Sequence, residues 1–316
     1  MKPPSEHRRE QILRATKLYY LNSLSTTQIA QQLGCSRWTV RRLLQEAKQE
    51  GYISIEIVDP YARVTELETA LTERFALSKA LVARTRLEPE DTILAVAQQA
   101  ADYLAEIRPM PQLVGVSWGR TISRVASQLS QGWSVDPLIV QLNGGVADLS
   151  SGRSVQNTVL KFAQSSNGKA KGLPCPAIVS SSSLAAGLTA DPVISDLLEL
   201  GKQVDVAVYS LGSLQFESVL VESGCVTRQE VSQLRAQGGV GDILGHFISG
   251  AGQIVSADLE ARTIGMSLTE LKKIKHSIAV STGENKASIT RAALKGGFLT
   301  TLVTDELTAK EVLSER

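Results

Sequence analysis

Arg37, Trp38, Arg41 and Arg42 bring three guanidinium groups and an indole into six consecutive positions. Guanidinium forks match phosphate oxygens and the acceptor edge of guanine, so this set suits contacts with a DNA backbone and with base edges in a major groove. The hydroxyls of Thr26, Thr27, Ser36 and Thr39 flank it and are read with it as DNA-contacting. A second concentration of polar chemistry lies in GVSWGRT at 115–121, where Ser117 and Thr121 offer hydroxyls and Arg120 a charge. A small-residue turn between a strand and a helix aims free backbone amides at one point, which suits a phosphate or another anion. A plain strand-to-helix turn fits the same residues, and the stretch matches neither GxGxxG nor GxxxxGK[ST], so nothing in it favours a dinucleotide or ATP.

The elements that must carry these residues are legible around them. Ile29, Ala30 and Leu33 give one helix an apolar stripe, and Val40, Leu43, Leu44 and Ala47 give the next another. Gly34 ends the first helix and Ser36 caps the second, the layout of a helix-turn-helix with its arginines outward. Upstream, Ile12, Leu13, Ala15, Thr16, Leu18, Tyr19 and Leu21 supply a third helix. Downstream, GYISIEIV at 51–58 alternates like a half-buried strand, so a wing is expected and 1–58 reads as an all-α winged helix-turn-helix domain. An ordinary helical hairpin with a solvated arginine face is the alternative for the two helices alone. Charge separates accordingly: residues 1–58 hold nine Lys/Arg against five Asp/Glu, and the remainder holds 24 against 27.

At 316 residues the chain is long enough for about two domains, and it has no apolar run that could cross a bilayer. MKPPSEHRRE lacks the apolar stretch of a secretory signal, so a soluble, cytoplasmic protein is expected. Cys35, Cys175 and Cys225, like His7, His246 and His276, are scattered without ligand spacing, so reduced thiols and no metal site are expected. Past Asp59-Pro60, the spacing of Val64, Leu67, Leu71 and Phe75 predicts an amphipathic helix, either joining two chains or lying on its own domain.

From Leu77 onward, short apolar runs alternate with helical stretches, the habit of an α/β domain with a mostly parallel sheet, spanning 59–316. Six runs end in small or polar residues: 113–116 in SWGRT, 138–142 in NGG, 177–179 in SSSS, 204–209 in SLGS, 278–280 in STGENK and 299–303 in TD. The carboxyl ends of parallel strands share one edge, so these residues are expected to line a single polar cleft.

Several motifs in order, TVRRLLQEAKQEGYISIEI, VGVSWGRT, VQLNGG, GVGDILGHFISGAGQIV and STGENKASITRAALKGGFLTTLVTDELTA, make the chain resemble the SorC/DeoR-type sugar-responsive transcriptional regulators over nearly its full length. The resemblance implies a Rossmann-like effector domain related to sugar-phosphate isomerases, a sugar, polyol or sugar-phosphate effector that alters operator affinity, no cofactor, and a homodimer or homotetramer. It places the effector pocket on Ser117, Trp118, Gly119, Arg120 and Thr121 for a phosphate or equivalent polar end. Asn143, Gly144, Gly145, Asp242, Phe247 and Lys286 then surround the carbohydrate, with Arg262 approaching from a neighbouring loop. Asp242 accepts vicinal hydroxyls or caps a helix, and Lys286 offers a cation or is solvated. Asn143 departs from the basic residue that some relatives carry at the matching position.

The competing class is a sugar-phosphate isomerase- or deaminase-like enzyme fused to the DNA-binding part, with Asp242, Glu284 or His246 as base. General acid–base work needs positioned proton carriers, and the cleft motifs hold no compact carboxylate pair or His-centred group, so no catalytic residues are expected.

Overall fold

The structure, a computed structural model, describes residues 6–53, 63–146, 155–283 and 285–314. Contacts group the chain into two units, Met1–Asp59 and Pro60–Arg316.

The first unit holds α1 (Glu6–Tyr20), α2 (Thr26–Leu33) and α3 (Arg37–Gln49). Ser25 and Gln28 form a reciprocal capping box at the start of α2. Gly34 ends α2 at φ 62, and Ser36 Oγ accepts the Thr39 N–H at 3.1 Å, so the turn between α2 and α3 is only a few residues long. Ile12, Ala15, Ile29, Ala30, Val40, Leu43, Leu44 and Ala47 close a common core. The Arg8 guanidinium donates to both Glu46 oxygens at 2.9 and 2.8 Å, tying α1 to α3. The broad apolar face expected of α1 narrows: Leu13, Tyr19 and Leu21 are 39, 38 and 77% exposed. Leu13 lies a quarter-turn off the Ile12/Ala15/Thr16 stripe, and Leu21 follows the helix end. Tyr52 and Ile53 pack on this core, and the rest of the expected wing, residues 54–58, lies outside the described residues.

The second unit opens with α4 (Thr65–Phe75), β1 (Lys79–Ala83), α5 (Pro89–Glu106), β2 (Leu113–Val116), α6 (Arg120–Gln128) and β3 (Leu138–Gln141). It continues with α7 (Val155–Gln164), β4 (Lys169–Lys171), α8 (Ser182–Ala190), α9 (Pro192–Gly201), β5 (Val206–Ser213), α10 (Val219–Glu222) and α11 (Arg228–Ala236). The hairpin β6 (Gly239–Ile243) and β7 (His246–Ser249) precedes α12 (Ala257–Arg262) and α13 (Leu268–Leu271). The chain then runs through β8 (His276–Ser281), α14 (Ala287–Lys295), β9 (Thr301–Asp305) and α15 (Glu306–Ser314). Strands pair in the order β1-β9-β8-β5-β2-β3-β4, all parallel, while β6 joins the end of β5 antiparallel.

Alternate residues of each strand feed opposite cores, as a sheet covered on both faces requires. Val206, Val208, Ile278 and Val280 join a cluster with α5 and α6, whereas Ala207, Tyr209 and Ala279 join one with α14 and α15. The helix expected from Val64 to Phe75 lies on its own unit: Leu71 is fully buried in that second cluster, and Val64, Leu67 and Phe75 pack on it. Arg63 forks onto Glu68 at 2.7 and 2.6 Å, and Glu68 also accepts the Val82 N–H at 2.9 Å, fixing α4 to β1. One expected strand is corrected: Ala177–Val179 forms only isolated bridges, Gly145 to Pro176 and Ile178 to Thr263. With no adjacent strand extending that pairing, the segment packs as irregular backbone over the β3 end.

Candidate functional site

A cavity of about 600 Å³ opens over the carboxyl ends of β2, β5 and β8 and the segment that follows β3. Its size is that of a small-molecule site. On the β2 side, Val116 leads into Ser117, whose Oγ accepts the Ser210 N–H at 3.4 Å, and Trp118, whose Nε1 donates to the Gly144 carbonyl at 2.7 Å. Gly119 holds φ 129 and ψ 166 at the head of α6, and no side chain caps that helix. A glycine is needed there because side-chain-bearing residues avoid this backbone region. The first amides of α6 therefore carry the positive end of the helix dipole, beside Arg120 and Thr121.

On the β8 side, Thr282, Asn285 and Lys286 line the cavity at the head of α14, another helix without a side-chain cap. Lys286 Nζ donates to the Leu211 carbonyl at 2.6 Å. Burial pulls its ammonium below the usual lysine range; the Asp242 charge opposes this and the Arg120 charge adds to it. Asp242 sits on β6 rather than at a helix cap, one residue from a two-residue turn at Leu244 and Gly245 with φ 56 and 92. Its Oδ2 accepts the Gly245 N–H at 3.0 Å, closing that turn. Burial pushes the Asp242 carboxyl above the usual range, against the Gly245 hydrogen bond and the charges of Lys286 and His246.

Two buried polar atoms of the lining have no hydrogen-bond partner among the described residues: Asn143 Oδ1 and Thr282 Oγ1. Such orphans are rare, because an unmet polar atom out of water costs folding free energy.

Of the residues expected in the pocket, Ser117, Trp118, Gly119, Arg120, Thr121, Asn143, Asp242 and Lys286 line this cavity together. The other four lie outside its lining. The Gly144 carbonyl instead anchors Trp118, and a Cβ at Gly144 would come within 2.3 Å of the Pro176 oxygen, so its role is close backbone approach. Gly145 exchanges backbone hydrogen bonds of 2.7 Å with Cys175 and Ala177. Phe247 is buried among Leu214, Leu220 and Leu234. Arg262 is engaged by Glu230 at 2.5 Å, Asp258 at 3.0 Å and the Val179 carbonyl at 3.2 Å. His246 is also outside the lining, held between Glu260 at 2.8 Å and the Met266 carbonyl at 3.1 Å.

Ser210 and Thr282, in the SLGS and STGENK strand ends expected to face the cleft, also line the cavity, whereas Glu90 and Arg124, an ion pair from α5 to α6, and Gln215, Glu217, Ser218, Val219 and Leu220 line it without having been singled out from sequence. The α5–α6 pair carries no local motif.

In the first unit, Arg37, Trp38, Arg41 and Arg42 all face solvent, with Trp38 67% exposed. Arg42 lies 5.2 Å from the Trp38 ring centroid and 3.4 Å from Glu46, whereas Arg37 and Arg41 have no ion-pair partner among the described residues. Ser36 and Thr39 share a 2.9 Å hydrogen bond at the head of α3, and Thr26 and Thr27 open α2.

Among the described residues no helix is long and apolar enough to cross a membrane, and no His/Cys/Asp/Glu group is arranged to hold a metal. Residues 59–314 match the family model described as "Putative sugar-binding domain". The chain is 31% identical over 304 residues to the deoxyribonucleoside regulator of Bacillus subtilis (strain 168), covering 96% of this chain and 97% of that one. It is 31% identical over 311 residues to the transcriptional regulator LsrR of Enterobacter sp. (strain 638), covering 96% and 93%. The crystal structure of the full-length sorbitol operon regulator SorC from Klebsiella pneumoniae matches at TM-score 0.74 and 26% identity, over 98% of this chain and all of that one.

Proposed function

Because the chain belongs to the SorC/DeoR-type family of sugar-binding transcriptional regulators, we propose that it binds an operator and that a sugar, polyol or sugar phosphate in the cavity sets its operator affinity. The observation that carries this reading is the polar cavity at the strand ends, where Ser117, Arg120, Thr121, Asn143, Asp242 and Lys286 converge beside the uncapped head of α6. A carbohydrate, which both donates and accepts along its length, suits such a mixed set of donors and acceptors.

In this reading the amides of α6 with Ser117, Arg120 and Thr121 hold the most electron-rich group of the effector, and Asp242, Asn143 and Lys286 hold hydroxyls. Trp118, fixed by its indole hydrogen bond, offers a ring face. Residues 1–58 form a winged helix-turn-helix, with α3 in the major groove. Arg37, Trp38 and Arg41 are its freest contacts, Arg42 is partly held by Glu46, and Thr26, Thr27, Ser36 and Thr39 reach phosphates. Residues 59–316 form the effector and oligomerisation part. A homodimer or homotetramer in the cytoplasm then reads two related half-sites, since each chain presents one recognition helix. No catalytic role is assigned: His246 faces Glu260 and Met266 rather than the cavity, and Glu284 lies outside the described residues.

A thermal-shift screen with sugars, polyols and their phosphates tests the reading, since a ligand of the native state raises the melting temperature by mass action. The expected result is stabilisation by at least one of them without turnover. Stabilisation by none, or conversion of a sugar phosphate to product, overturns it.

A further inference from the structure

Of the thirteen large apolar side chains exposed among the described residues, four fall within the nine positions from Leu13 to Leu21: Leu13 and Tyr20, each 39% exposed, with Tyr19 and Leu21. Singly exposed apolar residues are ordinary, but a cluster on one helix marks an interaction surface. At about 100° per residue, Glu10, Leu13, Lys17 and Tyr20 fall within roughly 80° of the α1 surface, turned away from the buried stripe of Ile12, Ala15 and Thr16.

Glu10 and Lys17 are both exposed, and neither has an ion-pair partner among the described residues, whereas Arg8 on the same helix is held by Glu46. Seven positions separate them, about 10 Å along the axis, and pairing within one helix needs three or four. Their spacing is self-complementary between two copies. When two α1 helices lie antiparallel about a twofold axis between Leu13 and Arg14, Glu10 of one falls opposite Lys17 of the other, because each stands three and a half positions from the axis. Leu13 then meets its own copy at the centre, with one Glu–Lys pair on either side and Arg9 and Arg14 at the margins. A parallel arrangement would set Glu10 against Glu10 and Lys17 against Lys17, which like-charge repulsion disfavours.

Resting on the reading of two half-sites above, we infer that α1 is the contact between the DNA-binding units of two copies, packed antiparallel with Glu10 of each paired with Lys17 of the other. A helix of 15 residues is about 22 Å long, and one such pair buries less than the roughly 1,200–2,000 Å² of a self-sufficient interface. The contact therefore joins units already brought together by the rest of the chain or by DNA, and it couples the filling of one half-site to the filling of the other.

Anisotropy titrations at low salt test this with full chains on two duplexes: the sequence that the wild type selects from a randomised DNA library, and the same duplex with one half scrambled. Reversing either charge, by Glu10→Lys or by Lys17→Glu, makes both contacts repulsive. The ratio of two-half to one-half affinity is expected to fall about threefold to tenfold in each variant. Co-expressing the two variants with different tags and purifying through both gives assemblies that contain both chains. There each contact again joins opposite charges, and the ratio should recover. An unchanged ratio in the single variants overturns the inference. So does a ratio that stays low in the mixed assembly, which places the two residues against their own chain or against DNA. Either result leaves the operator reading standing; if the wild type selects no duplex, both fall.

Discussion

Replacing Gly119 with alanine probes the turn that aims α6 at the cavity. At φ 129 and ψ 166 the backbone is in a region that costs about 1–3 kcal/mol for a residue with a side chain. The added Cβ would also lie 3.3 Å from Ser210 Oγ, close enough to displace the hydroxyl that sits beside Ser117. Loss of unfolded-state freedom offsets about 0.4–1 kcal/mol of this. With roughly 2–4 °C per kcal/mol for a unit of this size, the melting temperature of the second unit should fall by several degrees. If the turn relaxes instead, the melting temperature recovers, but the α6 amides swing off the cavity and effector affinity drops. Thermal melts and effector titrations on the same preparation read both losses. Gly187→Ala provides a control of opposite sign: an added Cβ within α8 meets nothing within 4 Å, and the helix gains about 0.5–1 kcal/mol. A Gly119→Ala protein with unaltered melting temperature and unaltered effector affinity would refute the role given to this turn.

Three further outcomes are expected. Arg41→Ala should weaken operator binding and, for a lost phosphate contact, reduce the log–log salt slope by about one, whereas Arg42→Ala should cost less because Arg42 is shared with Glu46 and Trp38; anisotropy titrations at several salt concentrations check both. The hydrogen bond from Arg8 holds the Glu46 carboxyl below the usual range, so its contribution is present above the unfolded value, about 4.3, and is lost as pH falls through the lower folded value. Acid melts of the wild type should therefore steepen below about pH 4.3 relative to Glu46→Gln. Lys286→Met should weaken effector binding about tenfold or more by removing a charged donor, with effector-free operator affinity unchanged, as parallel titrations would show.

Local signals carried much of this organisation. Ser36 and Gly34 mark the α2–α3 turn because caps and left-handed C-termini favour those residue types, and five of the six polar strand ends fall on parallel strands of one sheet. Ala177–Val179 misleads because a short apolar run reads as a strand whether or not a neighbour pairs with it. The β6–β7 turn is hidden because Leu244 adopts a positive φ, which leucine rarely does, so Asp242 is equally legible as a helix cap. Arg262 illustrates the other limit: its type suits an anion, but Glu230 and Asp258, 32 and four residues away, claim it first. Pairings at that separation follow from the fold and leave no spacing signal in the chain.

Coupling between the cavity and the operator requires that the effector bind the DNA-competent and DNA-incompetent arrangements with different affinities. The most direct test is effector affinity measured on the free protein and again on the protein saturated with operator. The two constants should differ, typically by about 5–150-fold, and operator affinity should change by the same factor on adding effector. Equal constants with and without operator would contradict the account.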